Sequence, residues 1–212
     1  MGTVELLEAI LWTPSEGFFL LDRHLRRISC SAEHFRISLD LREIRDALQE
    51  LADRLPRMDH KVRLTAAEGR PPAVTAQPLM EIPRPAVLRV GLAAHPVNSV
   101  DVLRYHKTSR RGPLDRELAV HRDWHEVVLW NERGEITESC TANVVIEMSG
   151  ARITPPLASG LLPGTFRGHL LDQGLIAERT VRREELLAAR SFWLINSVRK
   201  WMPARLVAPA RR

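Results

Sequence analysis

The apolar positions near the start of the chain run almost unbroken. Leu6, Leu7, Ile10 and Leu11 fall within residues 4–12, and an apolar run of this length bounded by a turn predicts a buried strand. Ser15-Glu16-Gly17 then turns the chain into a second short extended stretch at 18–21, which makes a hairpin. Beyond it the spacing changes to three and four. Leu25, Ile28, Ala32 and Phe35 form one helical stripe that Asp22 can cap, and Leu41, Ile44, Leu48, Leu51 and Leu55 form a second that Asp40 can cap. Alternation returns at 61–66 and 73–79 around the turn Glu68-Gly69-Arg70-Pro71-Pro72, and residues 86–94 add a third extended run.

Pro83 and Pro85, then His95-Pro96-Val97-Asn98, punctuate the chain where one domain can give way to another, so residues 1–95 and 96–212 are the expected division. The second part predicts a short helix at 116–125, a strand at 126–130, the turn Asn131-Glu132-Arg133-Gly134, and strands at 135–142 and 143–147, with Ser149-Gly150 closing another hairpin. A helix at 165–173 stops at Gly174, where a C-terminal glycine is common, and a helix at 184–189 and a strand at 192–195 follow. The alternation lacks the regular strand–helix–strand repeat of a doubly wound sheet. An α/β (α+β) protein of two subdomains is therefore expected.

Composition narrows the partners. At 212 residues, 44% hydrophobic and 27% charged, the chain can bury a sizeable core, and no apolar stretch approaches the roughly 20 residues of a membrane span. Its start lacks the basic and apolar regions of a signal peptide, so a cytoplasmic protein with no membrane partner is expected. Cys30 and Cys140 form no C-x-x-C pair and read as packing residues. The net charge of +5 suits an anionic partner. Because Arg26-Arg27, Arg110-Arg111, Arg182-Arg183 and Arg211-Arg212 are dispersed, and only one tyrosine interleaves with them, a small anionic substrate is expected rather than nucleic acid. His121 and His125 stand four apart without a third ligand, so no metal is expected; no Gly-x-Ser-x-Gly elbow is present.

Of 31 basic residues only Lys61, Lys107 and Lys200 are lysines, so lysine chemistry has three candidates. Lys107, in His106-Lys107-Thr108 and followed by two arginines, has the cationic surroundings that lower a lysine pKa. Gly160-Leu161-Leu162-Pro163-Gly164 opens a helix whose first amides can hold an anion, and Arg27 and Ser197 can add a guanidinium fork and a hydroxyl to the same phosphate. Glu138, at the end of an expected strand, can face a cavity. Lysine, carboxylate and anion-binding helix start are together the parts of a pyridoxal phosphate enzyme, though each residue alone also reads as an ordinary surface or strand-end group.

His106-Lys107-Thr108, Gly134-Glu135-Ile136-Thr137-Glu138 with Asn143, Thr154-Pro155-Pro156, Gly160 to Arg167, and Leu194-Ile195-Asn196-Ser197 resemble, in order and over nearly the whole chain, the class IV aminotransferases. Within that family of fold type IV pyridoxal phosphate enzymes the resemblance is closest to the 4-amino-4-deoxychorismate lyases, including the form fused behind aminodeoxychorismate synthase component I. It implies a small N-terminal α/β domain, a larger C-terminal pseudo-barrel domain and a pyridoxal 5′-phosphate cofactor. Lys107 is implied to carry the cofactor aldehyde and act as the catalytic residue, with Glu138 facing the ring nitrogen. Arg27, Asn143, Gly164, Thr165, Phe166 and Ser197 are implied to complete the cofactor site.

The resemblance further implies a lyase that releases pyruvate from a dicarboxylate substrate and forms 4-aminobenzoate, a homodimer, and functional coupling to an aminodeoxychorismate synthase. Arg110, Arg111 and Arg63 are candidate carboxylate partners, with Arg199 a further one. Three positions depart from common family residues: Ala9 stands where threonine is common, Leu11 where arginine is frequent, and Phe166 where branched-chain relatives bind phosphate with threonine. The chain starts close to the family's Phe-Glu-Thr segment, here Leu7-Glu8-Ala9, as in the fused forms. A transaminase for D- or branched-chain amino acids, and an inactive pyridoxal phosphate-binding protein, remain the alternatives.

Overall fold

Strand β1 (Leu6–Thr13) organises the first of two units into which the computed structural model divides, residues 1–84 with 106–110 and residues 85–105 with 111–212. The structure describes residues 4–81, 85–120 and 123–207, so Pro83, His121, Arg211 and Arg212 lie outside the described residues. Against the sequence expectation of 1–95 and 96–212, the division falls eleven residues earlier, and the segment around Lys107 joins the first unit.

In the first unit β1 pairs with β2 (Gly17–Phe18) and β3 (His60–Ala66), and β3 with β4 (Ala73–Pro78), in the antiparallel order β2-β1-β3-β4. Because strand side chains alternate between faces, Leu6 and Trp12 of β1 and Val62, Leu64 and Ala66 of β3 point one way. That face packs on Leu25, Ile28 and Ala32 of α1 (Leu21–Phe35) and on Ile44 and Leu48 of α2 (Leu41–Ala52). Asp40 caps α2 as expected, accepting from the amides of Arg42 at 2.7 Å and Glu43 at 3.4 Å. Asp22 does not cap α1. The helix begins one residue before it, from Leu20 in the left-handed region, and Asp22 in the first turn accepts instead from Arg45.

Residues 106–110 add to the edge of β1 that β3 leaves open. The Leu7 amide donates to the Lys107 carbonyl at 2.9 Å, the Ser109 amide donates to the Glu5 carbonyl at 2.9 Å, and Leu6 bridges Thr108. Backbone pairing with a central strand thus holds Lys107 in place.

The second unit is built from β5 (Leu88–Leu92), α3 (Gly112–Val120), β6 (Glu126–Trp130), β7 (Ile136–Ser139), β8 (Asn143–Met148), β9 (Ala151–Thr154), α4 (Thr165–Asp172), β10 (Ala177–Glu178), α5 (Arg183–Ala188), β11 (Phe192–Asn196) and β12 (Lys200–Leu206). Its strands follow the order β10-β9-β8-β11-β12-β5-β6-β7, and β7 also pairs with β8. That last pairing closes β8, β11, β12, β5, β6 and β7 into a six-stranded barrel, with β9 and β10 extending from it. A single apolar cluster draws on all six barrel strands, through Leu88, Val90, Val128, Ile136, Val144, Ile146, Phe192 and Leu194 with Met202 and Ala204 at its margin, and so fills the interior.

The helix expected at 116–125 starts four residues earlier, at Gly112. The strand β12 has no counterpart among the sequence expectations, and β2 is shorter than 18–21. No helix among the described residues is long and apolar enough to cross a membrane.

Candidate active site

The first unit brings Arg27 and His24 of α1 to Glu8 on the packed face of β1, with Lys107 near enough for its charge to act on His24. Glu8 replaces what would otherwise be an apolar position on that face, and its carboxylate is 1% exposed. It accepts from Arg27 Nε at 2.8 Å and Arg27 Nη2 at 2.5 Å, and pairs with His24 Nδ1 at 2.6 Å. Burial by itself would raise the Glu8 pKa. The Arg27 charge and the bonds from His24 and Arg27 outweigh burial and bring it down to about 2. His24 moves down from its ordinary value, first through burial and further through the charges of Arg27 and Lys107, against the opposing pull of Glu8. Arg27 is thereby held on one rotamer by a fork-to-fork contact. Neither Glu8 nor His24 was among the sequence-predicted site residues; a carboxylate inside a buried strand and a histidine one helical turn before Arg27 were the available signals.

His106 bonds through Nδ1 to Ser31 Oγ at 2.9 Å and stacks on His34, ring centroids 4.4 Å apart. Burial, then the His34 charge, lower its pKa. It anchors the residue before Lys107 to α1. Arg63, a candidate for substrate, lies directly across from Ala9 in the β1–β3 register, on the sheet face away from the helices, with Lys61 across from Leu11. The two sequence departures on β1 therefore share one face with Arg63. Arg110 is exposed, with its amide donating to Thr108 Oγ1 at 3.3 Å.

In the second unit Glu138 and Asn143 face each other across the pairing that closes the barrel. Glu138 Oε1 accepts from Arg104 Nη2 at 3.2 Å, and Oε2 accepts from the Leu162 amide at 3.2 Å. Asn143 Nδ2 donates to the Leu162 carbonyl at 3.0 Å. Three further donors reach the same loop. Arg133 Nη2 bonds the Ala158 carbonyl at 2.8 Å, Asn131 Nδ2 the Ser159 carbonyl at 2.9 Å, and Arg104 Nε the Gly160 carbonyl at 2.6 Å. The loop that opens α4 is fixed before any ligand arrives.

Two glycines make this loop possible. Gly160 has φ +90° and lies so close to Ser99 that a Cβ would fall 2.7 Å from its Cα. A Cβ on Gly164 would fall 1.9 Å from Asn143 Oδ1. Gly164 is the N-cap of α4 and contributes no side chain to it, so the start of the helix is backbone. Thr165 and Phe166 begin the helix, both buried, and the Phe166 ring packs against Trp201 with centroids 6.4 Å apart. Phenylalanine at this position belongs to the core through its ring. Ser197 follows β11 and is buried, in a turn that Asn196 Oδ1 organises by accepting from the amides of Val198 at 3.1 Å and Arg199 at 2.8 Å. Arg111, a substrate candidate, bonds the Cys140 carbonyl at 2.9 Å and pairs with Asp115 at 3.5 Å. It braces the turn that follows Glu138.

The chemistry of these donors fits pyridoxal phosphate. The first unit holds a lysine and an arginine, and the second a buried carboxylate and a loop whose backbone opens a helix. Arg104 was missed in the sequence because a lone arginine in the 3-10 turn Val102–Tyr105 carries no motif. For metal, no group of three or more His, Cys, Asp or Glu side chains is placed to hold an ion among the described residues. His125 Nδ1 accepts from the Arg89 amide at 2.8 Å, and His121 lies outside the described residues.

The sequence profile described as Amino-transferase class IV matches residues 5–207. A crystal structure from Mesorhizobium loti, provisionally named an amino-acid aminotransferase, is 35% identical, covers 96% of this chain and 100% of its own, and superposes with a TM-score of 0.88. A hypothetical aminotransferase from Mycobacterium tuberculosis, solved with pyridoxal phosphate bound, shares the fold at 20% identity, covering 95% of this chain and 81% of its own with a TM-score of 0.79. A Schizosaccharomyces pombe protein provisionally named aminodeoxychorismate lyase is 36% identical over 90 residues, which span 41% of this chain and only 39% of that protein.

Proposed function

Since the chain belongs to the class IV aminotransferase family, we propose that it is a pyridoxal 5′-phosphate-dependent 4-amino-4-deoxychorismate lyase. The observation that carries the cofactor reading is the loop at 158–164, tied by Glu138, Asn143 and Arg104 into one backbone cradle. The lyase reading draws on the 36% identical stretch shared with the Schizosaccharomyces pombe protein and on the His-Lys-Thr and Ile-Asn-Ser-Val-Arg segments.

Bound pyridoxal phosphate supplies an electron sink for the pair left at a deprotonated amine-bearing carbon. Lys107 is the residue that would hold the cofactor aldehyde, and its freed amino group would take the proton from the substrate's amine-bearing carbon. Glu138 would hold a proton at the ring nitrogen. Arg27 in the first unit, and the first amides of α4 with Ser197 in the second, would be the donors for the cofactor's phosphate. The enolpyruvyl group leaves as pyruvate and the substrate ring becomes aromatic 4-aminobenzoate, so the protein's task is to orient the ring and move protons. Arg110 and Arg63 are the arginines proposed for the substrate carboxylates. Arg111 is assigned to bracing, because Cys140 and Asp115 already engage it.

A transaminase reading is favoured by the full-length likeness to the Mesorhizobium loti protein. Incubation of the purified holoenzyme with 4-amino-4-deoxychorismate, following 4-aminobenzoate fluorescence and pyruvate together, tests the proposal. Equal release of both products without an added keto acid is expected. Turnover of D-alanine or leucine with a keto acid acceptor, and none of the lyase substrate, would replace the lyase by the transaminase. We further propose a homodimer of cytoplasmic location that works with an aminodeoxychorismate synthase; light scattering should give twice the 24.1 kDa chain mass.

A further inference from the structure

We infer that Arg104 is a positioning residue that sets the plane of the Glu138 carboxylate, an inference that rests on the reading of Glu138 as the ring-nitrogen partner. The Arg104 side chain is 8% exposed and that of Glu138 10%, so this is a buried pair. One planar guanidinium meets three acceptors. Nη2 donates to Glu138 Oε1 at 3.2 Å and lies 3.4 Å from Thr137 Oγ1, while Nε donates to the Gly160 carbonyl at 2.6 Å. The second Glu138 oxygen accepts from the Leu162 amide, two residues beyond Gly160. Carboxylate, guanidinium and loop therefore close a ring of hydrogen bonds in which each oxygen of Glu138 has its own donor. A carboxylate held at both oxygens cannot rotate about its last bond without breaking one of them.

The loop does not depend on Arg104 alone. Arg133, Asn131 and Asn143 hold the carbonyls of Ala158, Ser159 and Leu162 independently. Loss of Arg104 should fall on Glu138, whose buried negative charge it compensates. A lysine can provide the charge at one point, without the fork that spans Glu138 and Gly160.

The test compares binding of pyridoxal 5′-phosphate with that of its 1-deaza analogue, in which carbon replaces the ring nitrogen, by fluorescence titration of the full chain. In the wild type the normal cofactor binds more tightly, and Glu138→Gln removes that preference. Arg104→Gln is expected to cut the preference about tenfold, the worth of a hydrogen bond to a charged group, with little change in affinity for the deaza analogue. Arg104→Lys should recover part of it, and Arg104→Gln in the Glu138→Gln background should change the preference no further. Equal weakening of both cofactors by Arg104→Gln and Arg104→Lys, or an unchanged preference in both, would overturn the inference. If Glu138→Gln leaves the wild-type preference intact, the reading of Glu138 itself fails, and that result is distinct from failure at Arg104. Thermal melts of each variant show whether it is folded, and Arg104→Lys serves if Arg104→Gln is not.

Discussion

Glu8 and Arg27 meet fork to fork, with Nε 2.8 Å from Oε1 and Nη2 2.5 Å from Oε2, on a carboxylate almost wholly removed from solvent. The contact makes a strand residue responsible for the aim of a helix residue. The Glu8 carboxyl ordinarily titrates at 4.5, and in the fold burial pushes it up while Arg27 and His24 bring it down to about 2. Between those values the folded chain binds fewer protons than the unfolded one. The stabilisation is full above about pH 4.5 and is lost as pH falls toward 2, amounting to about 3 kcal/mol. Glu8→Gln should lower the stability at pH 7 by roughly that amount, because it leaves the Arg27 charge buried without its counter-ion. Urea unfolding at pH 7 and at pH 3 measures it, and the variant's stability should depend less on pH between 4.5 and 2.

Gly164 is placed against Asn143 so closely that any side chain must displace it. Gly164→Ala is expected to weaken pyridoxal phosphate binding by at least about tenfold, since about 1.4 kcal/mol of distortion at the cradle suffices for that. Asn143→Ala added to it removes the obstructing amide and should recover part of the affinity. Fluorescence titration of the single and double variants reads both effects, and an unaltered affinity in Gly164→Ala would show that the start of α4 does not hold the phosphate.

Cys140 and Cys30 differ sharply in exposure. Burial, with a smaller contribution from the Glu126 charge, pushes the Cys140 thiol up to about 12, whereas Cys30 is exposed on α1. A thiolate is the reactive species, so a disulfide-exchange reagent at pH 8 should titrate one thiol rapidly in the native protein and the second only in denaturant. Cys30→Ser should abolish the rapid phase. A rapid phase that survives in Cys30→Ser would contradict the burial assigned to Cys140.

The sequence carried the elements whose signals are local. Asp40 stands directly before a strong helical stripe and caps α2 as read, and the alternation at 61–66 and 73–79 became β3 and β4. Elements defined by distant partners were not legible. In β12 Pro203 interrupts a half-exposed pattern, and the strand exists because it pairs with β11 on one side and, in parallel, with β5 on the other. Asp22 looked like a cap because composition cannot show that Leu20 would take a left-handed backbone. At the site, the sequence pointed to Lys107, Glu138 and the glycine loop by motif. It could not point to Arg104 or to the Glu8 and His24 pair, because a positioning residue is defined by what it touches and only the fold brings those partners together. Arg111 shows the converse: an arginine beside the motif lysine in sequence, occupied by Cys140 and Asp115 in the fold.

The most direct test of the central claim is to load the purified chain with pyridoxal phosphate, reduce it with borohydride, and locate the modified lysine by peptide mass spectrometry. The account predicts a visible absorbance band before reduction and a single labelled site at Lys107. Label at Lys61 or Lys200, or no band and no label at saturating cofactor, would contradict it.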